Sequence, residues 1–210
     1  MWKIINILLK HSTTAIFVWV SGIVKILTTF QNLLVSPFID KPLSCTNYAL
    51  LADSENNRPY IDNVFEPEEL IPVSKLPDLP KLNRDGLEKA AYFEKSTLKV
   101  KPRKYRSPFN GRIWLLVSQD VYSASESFTV FSKATGFATI VGSQTGGDGI
   151  GALDPVLLQL PNSGLIAQFT MMFGLNPDGS SNEEMGTVPD IITKGTEIPL
   201  VTVLREISQK

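Results

Sequence analysis

Two apolar runs mark the middle of the chain, Ile113 to Val117 and, broken only by Thr139, Phe137 to Val141. Each has the length of a buried strand. The first breaks at Ser118-Gln119-Asp120, after which Ser123-Ala124-Ser125-Glu126 opens a short amphipathic helix. The second gives way to the glycine-rich stretch Thr145-Gly146-Gly147-Asp148-Gly149. The order is therefore strand, serine at a helix start, strand, glycine loop.

Around this centre the pattern is less regular. Residues 1–30 are set apart as a segment: Lys3, Lys10 and His11 precede Ser12 to Val24, thirteen residues without a charge. Such a basic-then-apolar start fits a signal anchor, yet it falls short of the ~20 apolar residues of a clean spanning helix. No small-x-small cleavage site stands out, and a buried helix and strand is the alternative. The rest, 31–210, reads as one domain. Asn47 to Leu51 suits a short strand. Between Pro59 and Pro80, five prolines with scattered acids predict an extended surface excursion. Leu82 to Lys95 has helical spacing at Leu87, Ala90 and Ala91, with Asp85 placed as N-cap. Lys99 to Arg106 carries five basic residues in eight and reads as a solvated linker. Val156–Leu160 and Leu165–Phe173 flank Pro161-Asn162-Ser163-Gly164, which predicts a hairpin; Met171, Met172 and Phe173 read as core. Asn176-Pro177-Asp178-Gly179 is a second turn, and Pro199 to Ile207 fits a closing helix with proline in its first turn.

Composition narrows the function classes. The 210 residues are 43% hydrophobic and 20% charged, enough for a sizeable core. A net charge of −1 with mixed signs excludes a nucleic-acid footprint, which needs a clustered basic face. One cysteine, Cys45, excludes an internal disulfide framework and any cysteine-based zinc site. His11 is the single histidine, and its place in the leader argues for a solvated or satisfied side chain rather than a catalytic one.

The chemistry gathers at Ser123. A serine at a helix start sits near the positive end of the helix dipole, beside free backbone N–H groups, where an oxyanion is also stabilised. The same residues also read as a capping box, Ser123-x-x-Glu126, in which the serine oxygen takes the N–H three residues on. Local pattern leaves both open. Asp148 likewise reads as a turn residue between permissive glycines, or as a group that positions substrate or loop.

VYSASESF, followed by TGFATIVGSQTGGDG and NEEMGTVPDI, resembles the serine peptidases of the tail-specific (carboxyl-terminal processing) family and their tricorn-like relatives. The resemblance spans about Leu33 to Ile192 and is clearest from Arg112 onward; Val188-Pro189-Asp190-Ile191 resembles the family's G-V-x-P-D-I. It implies an α/β fold with a ClpP/crotonase-like core of βαβ units and an added β-hairpin. It implies Ser123 as nucleophile, the Ala124 N–H as oxyanion donor, and peptide or protein substrates, with no metal or organic cofactor.

The departures are as informative. Processing members carry a lysine base in a T-x-G-K-G loop, and this chain has Asp148 there, 25 residues after Ser123. A carboxylate with an ordinary pKa of about 3.9 is a poor base for a hydroxyl, so the dyad does not carry over. Tricorn-like members resemble a serine–histidine–glutamate arrangement. Glu183 falls near their glutamate, a solvated loop carboxylate being the alternative, while their D-G-H-T-like histidine motif is missing. Gly147 and Asp148 remain for loop or substrate positioning. Where the family places a D-x-R-x-N-x-G-G segment, this chain reads Ser21-Gly22-Ile23-Val24-Lys25-Ile26. The start is therefore expected to be a truncated or altered remnant, and the chain a weakly active or inactive peptidase. The rival expectation is a non-catalytic peptide-binding or scaffold module on the same fold. A third is a membrane-anchored subunit held through residues 1–30, which favours an extracytoplasmic location.

Overall fold

The computed structural model describes residues 5–8, 14–18, 32–105, 109, 111–151 and 156–209. His11, Ser21–Ile26 and the rest of the apolar leader outside its two strands fall outside that set. The chain divides into two compact units. One comprises residues 1–45, 97–149 and 184–210, the other 46–96 and 150–183.

The first unit is built on a five-stranded sheet, ordered β1 (Ile5–Leu8), β2 (Thr14–Val18), β6 (Arg112–Val117), β7 (Thr139–Gly142), β11 (Ile191–Ile192). β1 pairs antiparallel with β2; β2, β6, β7 and β11 run parallel. Parallel strands need crossovers and cover on both faces, and β6 reads accordingly: every residue from Ile113 to Val117 is buried. The crossover is α2 (Ala124–Thr135), closed by left-handed Gly136. With β6 and β7 it forms the βαβ unit. Trp114, Leu116 and Val141 pack with Val203 of α4 (Pro199–Ser208), joined by Ile191, Leu200 and Ile207. Side chains alternate along a strand, so Leu115 turns to the opposite face. Asp190 locks β11's approach: its N–H donates to Ile140 O at 2.9 Å, and its Oδ2 accepts the Ile140 N–H at 2.8 Å. This is where the Val188-Pro189-Asp190-Ile191 segment enters β11.

The second unit holds most of a four-stranded sheet ordered β10 (Met172–Leu175), β3 (Leu43–Leu51), β5 (Tyr92–Val100), β4 (Ile71–Pro72), and a separate ribbon of β8 (Val156–Gln159) with β9 (Ile166–Phe169). The expected hairpin is that ribbon. Its second arm is shorter than expected because Met172 leaves it and pairs with Leu51. Met172 then joins Ala49, Leu51, Ile61 and Phe65 in a core as expected, with half-buried Met171 packed against it, while Phe173 is half-buried.

Two expectations are corrected. The 59–80 excursion holds α1 (Arg58–Val64), with Pro59 in its first turn, where a missing N–H costs nothing. Ile61 of α1 is wholly buried, so this stretch contributes core rather than only surface. The helix over Leu82–Lys95 is absent. Gly86 takes φ +87°, only a 3₁₀ turn forms at Leu87–Lys89, and the chain enters β5 at Tyr92. Phe93 and Val100 bury themselves on that strand, and this aromatic and β-branched burial outweighs the helical spacing upstream.

Cys45 is buried on β3, and burial pushes its thiol up to about 11. The thiolate is the reactive form. Alkylation in the native protein is therefore expected to be negligible at mildly alkaline pH and complete in denaturant; rapid native modification, read by mass, would contradict this burial. Among the described residues no helix is long and apolar enough to cross a membrane.

Candidate active site

β6 and β7 are neighbouring parallel strands, so the loops leaving their carboxyl ends emerge on one sheet edge, where α/β folds place their sites. The loop after β6 carries Ser123, and the loop after β7 carries the glycine-rich stretch. The two are stitched together. Tyr122 forms a parallel bridge with Gly147, the Ser123 N–H donates to Gly147 O at 3.1 Å, and the Gly146 N–H donates to Val121 O at 2.8 Å. Gly149 lies flat against the start of α2, where a Cβ would come within 2.6 Å of Ser127 N and 2.7 Å of the Glu126 side chain. A glycine is what permits that approach.

Ser123 itself takes φ +55° and ψ −126°. For a residue with a Cβ this is a strained conformation, worth about 1–3 kcal/mol, of the kind held only where surrounding structure enforces it. It is also the shape of a nucleophile elbow, which lifts a serine hydroxyl off the end of a strand as the chain turns into a helix. The side chain makes no capping bond to α2. The capping-box reading of Ser123 therefore fails. Its N–H is spent on Gly147, and the Glu126 Oε1 accepts instead from Thr187 Oγ1 at 2.6 Å. Among the described residues the Ala124 N–H, at the first position of α2, meets no acceptor, and no side chain hydrogen-bonds Ser123 Oγ.

The remaining candidates are placed as follows. Asp148 is exposed and left-handed at φ +57°, a conformation that aspartate tolerates, which accords with the turn reading. Gly147 stands beside Ser123 through its carbonyl. Glu183 lies in the second unit, on the short helix α3 (Asn182–Met185), where its Oε1 accepts the Gly174 N–H at 3.4 Å. His11 is outside the described residues. Among the described residues no cluster of histidine, cysteine or carboxylate side chains could hold a metal. Sequence reasoning missed Thr145 and Thr187, both buried, Thr187 bonded to Glu126 and Thr145 to Thr187. The one available signal was Thr145 at the head of the glycine run.

The model of peptidase family S41 matches residues 64–193, more than half of the chain. No curated protein matches. Among solved structures, mature CPAF complexed with lactacystin is similar at 17% identity and a TM-score of 0.53, over 86% of this chain and 39% of that one. A protein of Parabacteroides merdae described as a peptidase gives a TM-score of 0.56 at 13% identity, over 93% of this chain and 61% of its own. At such identities the likeness is one of fold, and the chain spans about two fifths and three fifths of those proteins' lengths.

Proposed function

Since the chain belongs to peptidase family S41, we propose that it is the catalytic-core part of a serine-type peptidase that cleaves peptide bonds through an acyl-enzyme at Ser123. The observation that carries this reading is the strained elbow at Ser123, held at a sheet edge without any capping bond. A serine kept in that shape is explained by presentation of its hydroxyl, not by helix initiation.

In the reaction, Ser123 Oγ attacks the carbonyl carbon of the scissile peptide and its proton passes to a base. The Ala124 N–H receives the oxyanion, adding the kind of preorganised donor that contributes about 3–4 kcal/mol in such sites. The C–N bond then breaks, the leaving amine takes up the proton, and water releases the acyl group from the serine ester. The base is not Asp148, an exposed loop carboxylate. By the resemblance Glu183 stays the candidate acidic residue, and the base is supplied by a second chain. Gly147 and Asp148 shape the loop beside the reacting carbonyl. The substrate is an extended or carboxyl-terminal peptide segment.

A second reading is a peptide-binding scaffold that keeps the fold without turnover. It is favoured by Ser123 Oγ having no hydrogen-bond partner among the described residues. The two separate in one assay, in which a mixture of extended peptides is incubated with wild type and Ser123→Ala and both cleavage and binding are followed by mass spectrometry. Cleavage lost in the variant supports the peptidase. Binding without cleavage, identical in both proteins, supports the scaffold and sinks the acyl-enzyme.

A further inference from the structure

Glu126 stands three residues beyond Ser123, in the first turn of α2, and is 0% exposed. A carboxyl group withdrawn from water must be hydrogen-bonded to be tolerated there. Thr187 Oγ1 donates to its Oε1 at 2.6 Å. Thr187 comes from the segment leading into β11, and it is bound in turn to the glycine loop. Its N–H donates to Thr145 Oγ1 at 2.6 Å, the Thr145 N–H donates to Thr187 O at 3.2 Å, and the Thr145 hydroxyl lies 3.4 Å from that same carbonyl. Beside this pair, Gln144 Nε2 donates to Met185 O at 2.7 Å. Thr145 is two residues from Gly147, whose carbonyl accepts the Ser123 N–H.

These links close a ring. It runs from Ser123 along the helix turn to Glu126, across to Thr187, on to Thr145, through Gly146 to Gly147, and back to Ser123. Every step is a hydrogen bond or a few residues of chain. Both threonines are buried, so water does not compete for their hydroxyls. A valine would fill the same space as threonine without the O–H, which makes the hydroxyl's role separable from packing.

We infer that Thr187, acting through Glu126, is a positioning residue that holds the glycine-rich loop against the Ser123 elbow. The inference rests on the proposed reading of Ser123 for its catalytic meaning, but its structural content stands apart from it. Thr187 touches no reacting atom. It fixes the distance between the loop that shapes the substrate's approach and the helix turn that carries the nucleophile and its oxyanion donor.

The test compares wild type, Thr187→Val and Thr187→Ser by two readouts. The first is amide hydrogen exchange over residues 143–149 and around 123. The second is the rate at which a fluorophosphonate modifies Ser123. Removing the hydroxyl leaves a buried acceptor without this donor, a loss that corresponds to roughly a tenfold change in a local equilibrium. Thr187→Val is expected to speed exchange in the loop by about that factor, with the α4 face of the sheet unchanged, and to slow labelling comparably. Thr187→Ser, which restores the O–H, is expected to restore both. Should Thr187→Val fail to fold, Glu126→Gln weakens the same acceptor and is read by the same loop exchange. Unchanged loop exchange, or a serine variant that restores neither readout, overturns the inference. If wild type is not labelled at all, the peptidase reading falls, and the exchange comparison alone still decides the role of Thr187.

Discussion

Ser123→Gly is expected to make the protein more stable while removing its covalent chemistry. The backbone at φ +55° and ψ −126° places a Cβ in a region that glycine enters freely. Relief of about 1–3 kcal/mol of strain is offset by the ~0.4–1 kcal/mol that glycine's greater unfolded-state freedom costs. A net gain of ~1 kcal/mol remains, legible as a higher urea midpoint with an unchanged slope. Ser123→Ala keeps the Cβ and so keeps the strain, and its stability should lie close to wild type. Both variants should lose turnover by about three orders of magnitude or more, as removal of a nucleophile does. At an ordinary N-cap serine both substitutions destabilise, alanine by about 0.5–2 kcal/mol and glycine by a few tenths, so a gain for glycine with alanine close to wild type separates an enforced elbow from a cap. Alanine more stable than glycine would mean that the site is not strained.

The largest loss of stability is expected at Gly142. It ends β7, opposite Val117 of β6 and Ile192 of β11, at φ +147°. A Cβ built there would lie 1.9 Å from Val117 O and 2.8 Å from Val117 C. The obstacle is the backbone of a central strand, which cannot turn aside as a flexible side chain does. Gly142→Ala must therefore prise β7 from β6 beside the glycine loop. We expect a cost above ~3 kcal/mol, at the upper end for a single substitution and a large part of the 5–15 kcal/mol that holds a domain folded. Equilibrium unfolding in urea measures it. A cost below ~1 kcal/mol would contradict the β6–β7 register at this position.

The centre of the fold was legible because its signals were redundant. Ile113–Val117 is apolar at every position, as only a strand covered on both faces requires. The serine at the helix start and the glycines after β7 fixed where the chain turns. The closing helix was readable from Pro199 and the apolar spacing behind it. The region 59–95 was misread for physical reasons. Proline breaks a helix interior, but Pro59 sits where a helix needs no N–H, and a short run of helical spacing concealed a strand whose stability comes from burying Phe93 and Val100. At the site, the sequence located Ser123 and its loop but left capping and catalysis undecided. What speaks against the cap is a pair of backbone angles and the missing capping bond, which no residue pattern encodes. Glu126 was read as a cap, because nothing in SASE discloses that its partner lies 61 residues away at Thr187.

The central claim is that the elbow makes Ser123 an activated nucleophile. It is tested most directly by treating the folded protein with a fluorophosphonate serine probe and locating the adduct by tandem mass spectrometry. The account predicts one stoichiometric adduct, on Ser123, absent from Ser123→Ala and from unfolded protein. A folded wild-type protein that takes up no probe at Ser123 would contradict it.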